Sequence, residues 1–85
     1  MLIRDEIEQK LQMAFAPREL AVEDDSESHR GHSGWQEGGQ THFNVRIRAA
    51  ELGGMGRLAR HRAVHSALGA ELVARIHALA LDIDG

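Results

Sequence analysis

The sequence predicts an α+β fold, a two-layer sandwich in the order α-β-β-α-β with both helices on one face of a three-stranded mixed sheet. Three observations carry this. Apolar residues recur at helical spacing in two stretches, they alternate by twos in three others, and the two strand patterns at the middle of the chain are flanked by the helices rather than interleaved with them.

The first helix spans about residues 2–15. Leu2/Ile3, Ile7, Leu11 and Ala14/Phe15 share one face, Arg4, Glu8 and Gln12 lie on the other, and Pro17 prevents continuation because it lacks an amide hydrogen. A short strand follows, in which Leu20 and Val22 alternate with Glu19, Ala21 and Glu23 before the turn formers Asp24-Asp25-Ser26. Residues 26–40 have no period and include Gly31, Gly34, Gly38, Gly39 and the sole tryptophan, Trp35. So long a loop inside a small domain is commonly functional. Trp35 reads equally as a contact residue or as a lid over the sheet edge.

The clearest strand places Phe43, Val45 and Ile47 on one face and His42, Asn44, Arg46 and Arg48 on the other. Glu51 to Gly56 is a glycine-rich turn that opens a helix, which runs from about Leu58 to Arg75 with Val64, Leu68, Leu72 and Ile76 as its core stripe. Arg57, His61 and His65 form a separate polar stripe. His77 to Ile83 alternates as the third strand.

Eighty-five residues at 42% hydrophobic content make one domain, residues 1–85, with a single thin core. The net charge of −3 is unevenly spread: residues 1–40 carry −5, residues 41–76 carry +4, and residues 77–85 carry −2. The basic stretch either faces an anion or is ordinary solvation of a helix and strand face. No cysteine is present, so the chain has neither disulfides nor thiolates of its own. With no signal-peptide pattern and no long apolar run, the expectation is a cytoplasmic protein with no membrane partner, monomeric alone or a weak homodimer.

Catalytic motifs are missing. There is no Gly-x-Ser-x-Gly elbow, no Walker loop and no dinucleotide fingerprint, and Asp24, Asp25, Ser26 and His29 make a triad only on paper. The chain is therefore expected not to be an enzyme. His29 and His32 lie three apart in the loop, where neutral imidazoles can ligate zinc, copper or iron, or can simply be solvated. His61 and His65, one turn apart, chelate in principle, but Arg60 and Arg62 beside them repel an added cation. His77, in phase with Leu79 and Leu81, reads from spacing alone as a half-buried histidine satisfied by a carbonyl. Gly53-Gly54-Met55-Gly56 satisfies the Gly-x-x-Gly pattern that clamps backbone phosphates. Arg57, Arg60 and Arg62 follow it, so Gly53, Gly56 and these arginines form a candidate nucleic-acid surface. Few aromatics are available for base stacking.

Four stretches in this order resemble the BolA family: Val22-Glu23-Asp24-Asp25-Ser26 before a histidine-bearing loop, Thr41-His42-Phe43-Asn44-Val45, Arg60-His61-Arg62, and Ile76-His77-Ala78-Leu79-Ala80-Leu81. With the amphipathic first helix they cover nearly the whole chain. Asp24-Asp25-Ser26 departs mildly from the family's Asp-Glu-Ser, and the tail found in some members is absent after Gly85. The resemblance implies a class II KH-like fold. It also implies that the residue at His77 is an iron–sulfur ligand, joined by a loop residue, here His32 or His29. His32 is favoured because Gly31 and Gly34 give it freedom to reach an ion. A monothiol glutaredoxin with bound glutathione would be the partner supplying thiolates to a shared [2Fe–2S] cluster. Some BolA-like proteins are described as transcriptional regulators, which keeps DNA as the rival ligand.

Overall fold

The computed structural model describes residues 2–25 and 42–85. In chain order the elements are α1 (Ile3–Phe15), β1 (Glu19–Asp24), β2 (His42–Arg48), α2 (Ala50–Gly53), α3 (Arg57–Leu68), α4 (Ala70–Ala74) and β3 (Ala78–Asp84). The sheet runs β1-β2-β3, with β1 antiparallel to β2 and β2 parallel to β3. This is the mixed three-stranded α+β architecture that the periodicities predict.

Each element follows from its pattern. In α1 the i, i+4 pair Ile7 and Leu11 is fully buried, with Ile3 and Phe15 packed at the margins. The helix ends where Ala16 turns left-handed (φ 45°) just before Pro17. Phe43, Val45 and Ile47 of β2 face the helices and meet Val64, Leu68 and Leu72, together with Leu52 of α2. Each such fully buried side chain contributes about 1.5–3 kcal/mol. The central strand is the most deeply buried because it has a neighbour on both sides.

The long second helix expected over 58–75 is divided in the structure. Gly69 adopts φ 88°, a conformation costly for any side chain, and the chain restarts as α4. The apolar stripe Val64, Leu68 and Leu72 stays buried across the break, so the period continues although the helix does not. Lys10 of α1 donates to the Leu68 carbonyl at 3.0 Å, satisfying a helix-end acceptor at that point. The glycine-rich turn also holds one short helix, α2, that the sequence pattern does not announce. The last strand begins at Ala78 rather than His77 and extends to Asp84.

Candidate functional site

Because β2 and β3 are parallel, both begin at the same end of the sheet, and antiparallel β1 ends there. His42 pairs with Ala78 and Asp24 with Phe43. The Asp25 amide donates to the His42 carbonyl at 2.7 Å, fixing the backbone on both sides of residues 26–41. His29, His32 and Trp35 lie outside the described residues, but the segment that carries them leaves and rejoins the fold at this rim.

His77 occupies the bend between α4 and β3 and is exposed. The half-buried, carbonyl-satisfied histidine expected from spacing alone is therefore not found. The strand phase does not reach His77, because the strand starts one residue later. Its neighbour is His42: the two ring centroids are 5.1 Å apart and the planes are tilted by 54°. His42 is only 4% exposed, the one buried polar side chain among the described residues. The sequence pattern placed His42 on the solvent face with Asn44 and Arg46, and the structure corrects that. No group of three or more histidine, cysteine or carboxylate side chains able to hold a metal occurs among the described residues. The chain thus offers imidazoles at this rim and no thiolate.

The opposite end of the sheet holds the glycine turn. A Cβ on Gly53 would stand 2.9 Å from the Gly85 Cα, so this glycine permits close approach of two backbones. Gly54 and Gly56 have open space around them, and Gly56 precedes the first turn of α3. Arg60 is spent inside the fold. It donates to the carbonyls of Leu52 (2.8 Å), Ile83 (3.2 Å) and Gly53 (3.2 Å), and pairs with Asp84 at 3.3 Å. Arg57 and Arg62 are exposed and make no ion pair among the described residues. Between α3 and β3 lies a hollow of about 430 Å³ lined by Arg57, Arg60, His61, Leu81, Asp82 and Ile83. His61 is half-buried, with Nδ1 3.0 Å from the Arg57 carbonyl of its own helix, while His65 is exposed.

Much of the basic character of residues 41–76 is neutralised in place. Arg46 bridges Glu19 (2.9 Å) and Asp82 (3.3 Å), Arg48 pairs with Asp82 (2.9 Å), and Arg75 pairs with Glu6 (2.8 Å). Hydrogen bonding to Gly85 and the charge of Arg60 together hold the Asp84 carboxyl below its ordinary range. No helix among the described residues is long and apolar enough to cross a membrane.

The family model for the BolA-like protein matches residues 11–84. The chain belongs to the BolA family. Among its relatives, the DNA-binding transcriptional regulator BolA of Escherichia coli K12 is 41% identical over 81 residues, covering 95% of this chain and 73% of the relative. A Sinorhizobium sp. relative, described as an uncharacterized protein in the cobS 5′ region, is 43% identical over 83 residues, covering 96% of this chain and 89% of the relative. Among solved structures, the BolA domain of SufE1 from Arabidopsis thaliana superposes with a TM-score of 0.79 at 37% identity, covering 95% of this chain and 88% of that one. The BolA fold implied by the four sequence stretches is thus the fold of this chain.

Sequence reasoning gave two residues of this BolA-like domain surroundings that differ from those in the structure. His42 is next to Phe43 in a strand whose alternation assigns a face, but alternation does not say whether that face is covered at the strand's first residue. Arg60 looked like one of three equivalent arginines. Nothing in the sequence marks the three carbonyls that converge on it from α2 and β3.

Proposed function

We propose that this BolA-like chain is a non-enzymatic binding module that joins a monothiol glutaredoxin and supplies histidine ligands to a bridging [2Fe–2S] cluster, in iron–sulfur homeostasis or redox regulation. The observation that carries this reading is His77, exposed at the rim from which the loop with His29 and His32 departs. The donor set fits half a ligand shell: the chain has imidazoles here and no cysteine anywhere, so the thiolates must come from the partner and its glutathione. Neutral imidazole in place of thiolate makes a cluster less negative, raises its potential and makes its ligation sensitive to protonation. His77 and one loop histidine, His32 or His29, are the ligands on this reading.

Mixing the chain with holo glutaredoxin and recording visible absorption and circular dichroism tests it. A new spectrum and a heterodimer are expected, and His77→Ala abolishes the spectral change while shifting stability by no more than about 0.5 kcal/mol, as for other exposed positions. An unchanged glutaredoxin spectrum with no complex overturns the reading.

A second reading is DNA binding. It is supported by the exposed Arg57 and Arg62, which make no ion pair among the described residues and follow the open glycines Gly54 and Gly56, and by the name of the Escherichia coli relative. Arg60 is not available for it without leaving its carbonyls. Titration of labelled duplex at several salt concentrations decides: binding that falls steeply with salt, and is weakened in Arg57→Ala/Arg62→Ala, supports it. No measurable affinity near physiological salt removes it.

A further inference from the structure

We propose that the outer edge of β3 is a strand-addition site for an extended, acidic segment of a partner protein. The inference stands apart from the histidine rim and from the glutaredoxin reading.

The register sets which backbone groups are available. The Ala49 amide donates to the Asp84 carbonyl at 3.1 Å, so Asp84 turns its peptide groups toward β2. Residues of a parallel strand alternate between facing the partner strand and facing away from it. Asp82 and Ala80 therefore also face β2, and Leu79, Leu81 and Ile83 face outward. Arg60 takes the Ile83 carbonyl at 3.2 Å. Neither Leu79 nor Leu81 has a backbone partner on that side among the described residues. The opposite edge of the sheet is closed at its middle, where Arg4 of α1 donates to the Val22 carbonyl at 3.0 Å. An unpaired strand edge is a template for another strand unless something covers it. On β3 the arginine cap sits at the end of the strand and leaves its centre open.

The surroundings of that edge select the occupant. The hollow of about 430 Å³ between α3 and β3 opens beside Leu81 and Ile83, giving an added strand room for side chains on the helix side. Leu79 and Leu81 are only half-buried there, so an aliphatic neighbour would cover them. The free charge is positive. Arg57 lines the hollow, is exposed and makes no ion pair among the described residues. The one carboxylate in the lining, Asp82, is held by Arg46 at 3.3 Å and Arg48 at 2.9 Å. On the open face of the sheet the neighbours are the small, exposed Ala78 and Ala80, which select for nothing. Strand side chains alternate in direction. The segment that fits therefore carries a carboxylate beside Arg57 and an aliphatic residue two positions along, beside Leu79. Main-chain hydrogen bonds supply affinity in such complexes and alternate side chains supply specificity. A second copy of β3 fits less well, because its helix-side residues are all apolar and its Asp82 and Asp84 lie on the other face.

The probe is a labelled Thr-Val-Thr-Glu-Thr-Val-Thr peptide titrated into the full chain, read by nitrogen-15 amide shifts and hydrogen exchange. Saturable binding is expected, with the Leu79 and Leu81 amides shifted and slowed in exchange. Two N-methylated peptides are compared, one altered at the Val and Glu amides and one at the Thr amides. Strand addition loses binding with one and keeps it with the other, since only alternate amides face β3. Lys in place of the peptide Glu, or Arg57→Glu in the chain, weakens binding about fivefold, the upper end for an exposed ion pair. The two changes together restore it. Arg62→Glu, outside the hollow, leaves binding within about twofold. An acidic residue is favourable in the first turn of a helix, so Arg57→Glu keeps the fold, and the peptide variants give the same answer with the chain unaltered. No saturable binding, equal binding of both N-methylated forms, or shifts confined to β1 overturns the proposal. Self-association through the Leu79 and Leu81 amides makes a second copy the occupant, and duplex DNA that shifts these amides where the peptide does not makes it a nucleic acid. Either result overturns the acidic segment.

Discussion

Where β2 and β3 finish, Gly53, Arg60 and Gly85 are consumed by the fold; where the same strands begin, His77 stands in solvent beside His42. In sequence the first group looked the more functional, a glycine turn followed by arginines. The difference between the two ends lies in whether polar atoms have been satisfied internally. Arg60 donates to three carbonyls and forms an ion pair with a carboxylate, which commits much of its fork to the fold rather than to a phosphate. His77 donates to nothing comparable among the described residues, and its nearest partner is another imidazole.

The largest effect that sharpens this contrast is at Arg60. Arg60→Ala leaves three carbonyls with a lost charged donor and is expected to cost about 2–3 kcal/mol, read as a lower urea midpoint. Arg60→Lys recovers only part of it, since an ammonium cannot present the planar fork. Unaltered stability in Arg60→Ala would return this residue to the free basic surface and erase the contrast.

Next come the glycines of the turn. Gly53→Ala forces a Cβ to within 2.9 Å of the Gly85 backbone and is expected to destabilise by about 1–2 kcal/mol, as overpacking does. Gly54→Ala meets open space in a right-handed backbone, so it stabilises by about 0.4–1 kcal/mol through the unfolded chain. Equal costs at the two positions would mean that the turn is held by something other than the Gly53–Gly85 approach.

The smallest effect lies at the histidine end. Arg75, two residues before His77, holds Glu6 of α1 through two hydrogen bonds of 3.2 and 2.8 Å. The Arg75 hydrogen bond lowers the Glu6 carboxyl below its ordinary value of 4.5. A depressed carboxyl contributes stability above its unfolded pKa and loses it as pH falls through the folded one. Glu6→Gln is therefore expected to lower the urea midpoint slightly at pH 7, with the difference vanishing below the carboxylate range. A difference that persists in acid assigns the effect to packing instead of the ion pair.

How much of this was legible depended on which physical signal each feature leaves in the sequence. The alternation of Phe43, Val45 and Ile47 and the i, i+4 rows of α1 mark both an element and its buried face, and both were readable. Gly69 left an ambiguous mark: the apolar stripe runs on through Leu72, so periodicity alone favoured one helix where a positive φ makes two. The short α2 is too brief for a period. Family likeness singled out His77 as a ligand candidate, whereas spacing alone half-buried it, and in the structure it is exposed. His42 was missed because covering a strand's first residue depends on what lies across the sheet, and Arg60 because its acceptors come from segments brought together only by the completed fold.

The parallel pairing of β2 with β3 has a consequence for the order of assembly. An antiparallel hairpin such as β1–β2 closes one loop, but β3 can dock beside β2 only after α2, α3 and α4 have carried the chain back across the sheet. His42 and His77 are therefore strangers until the last strand arrives.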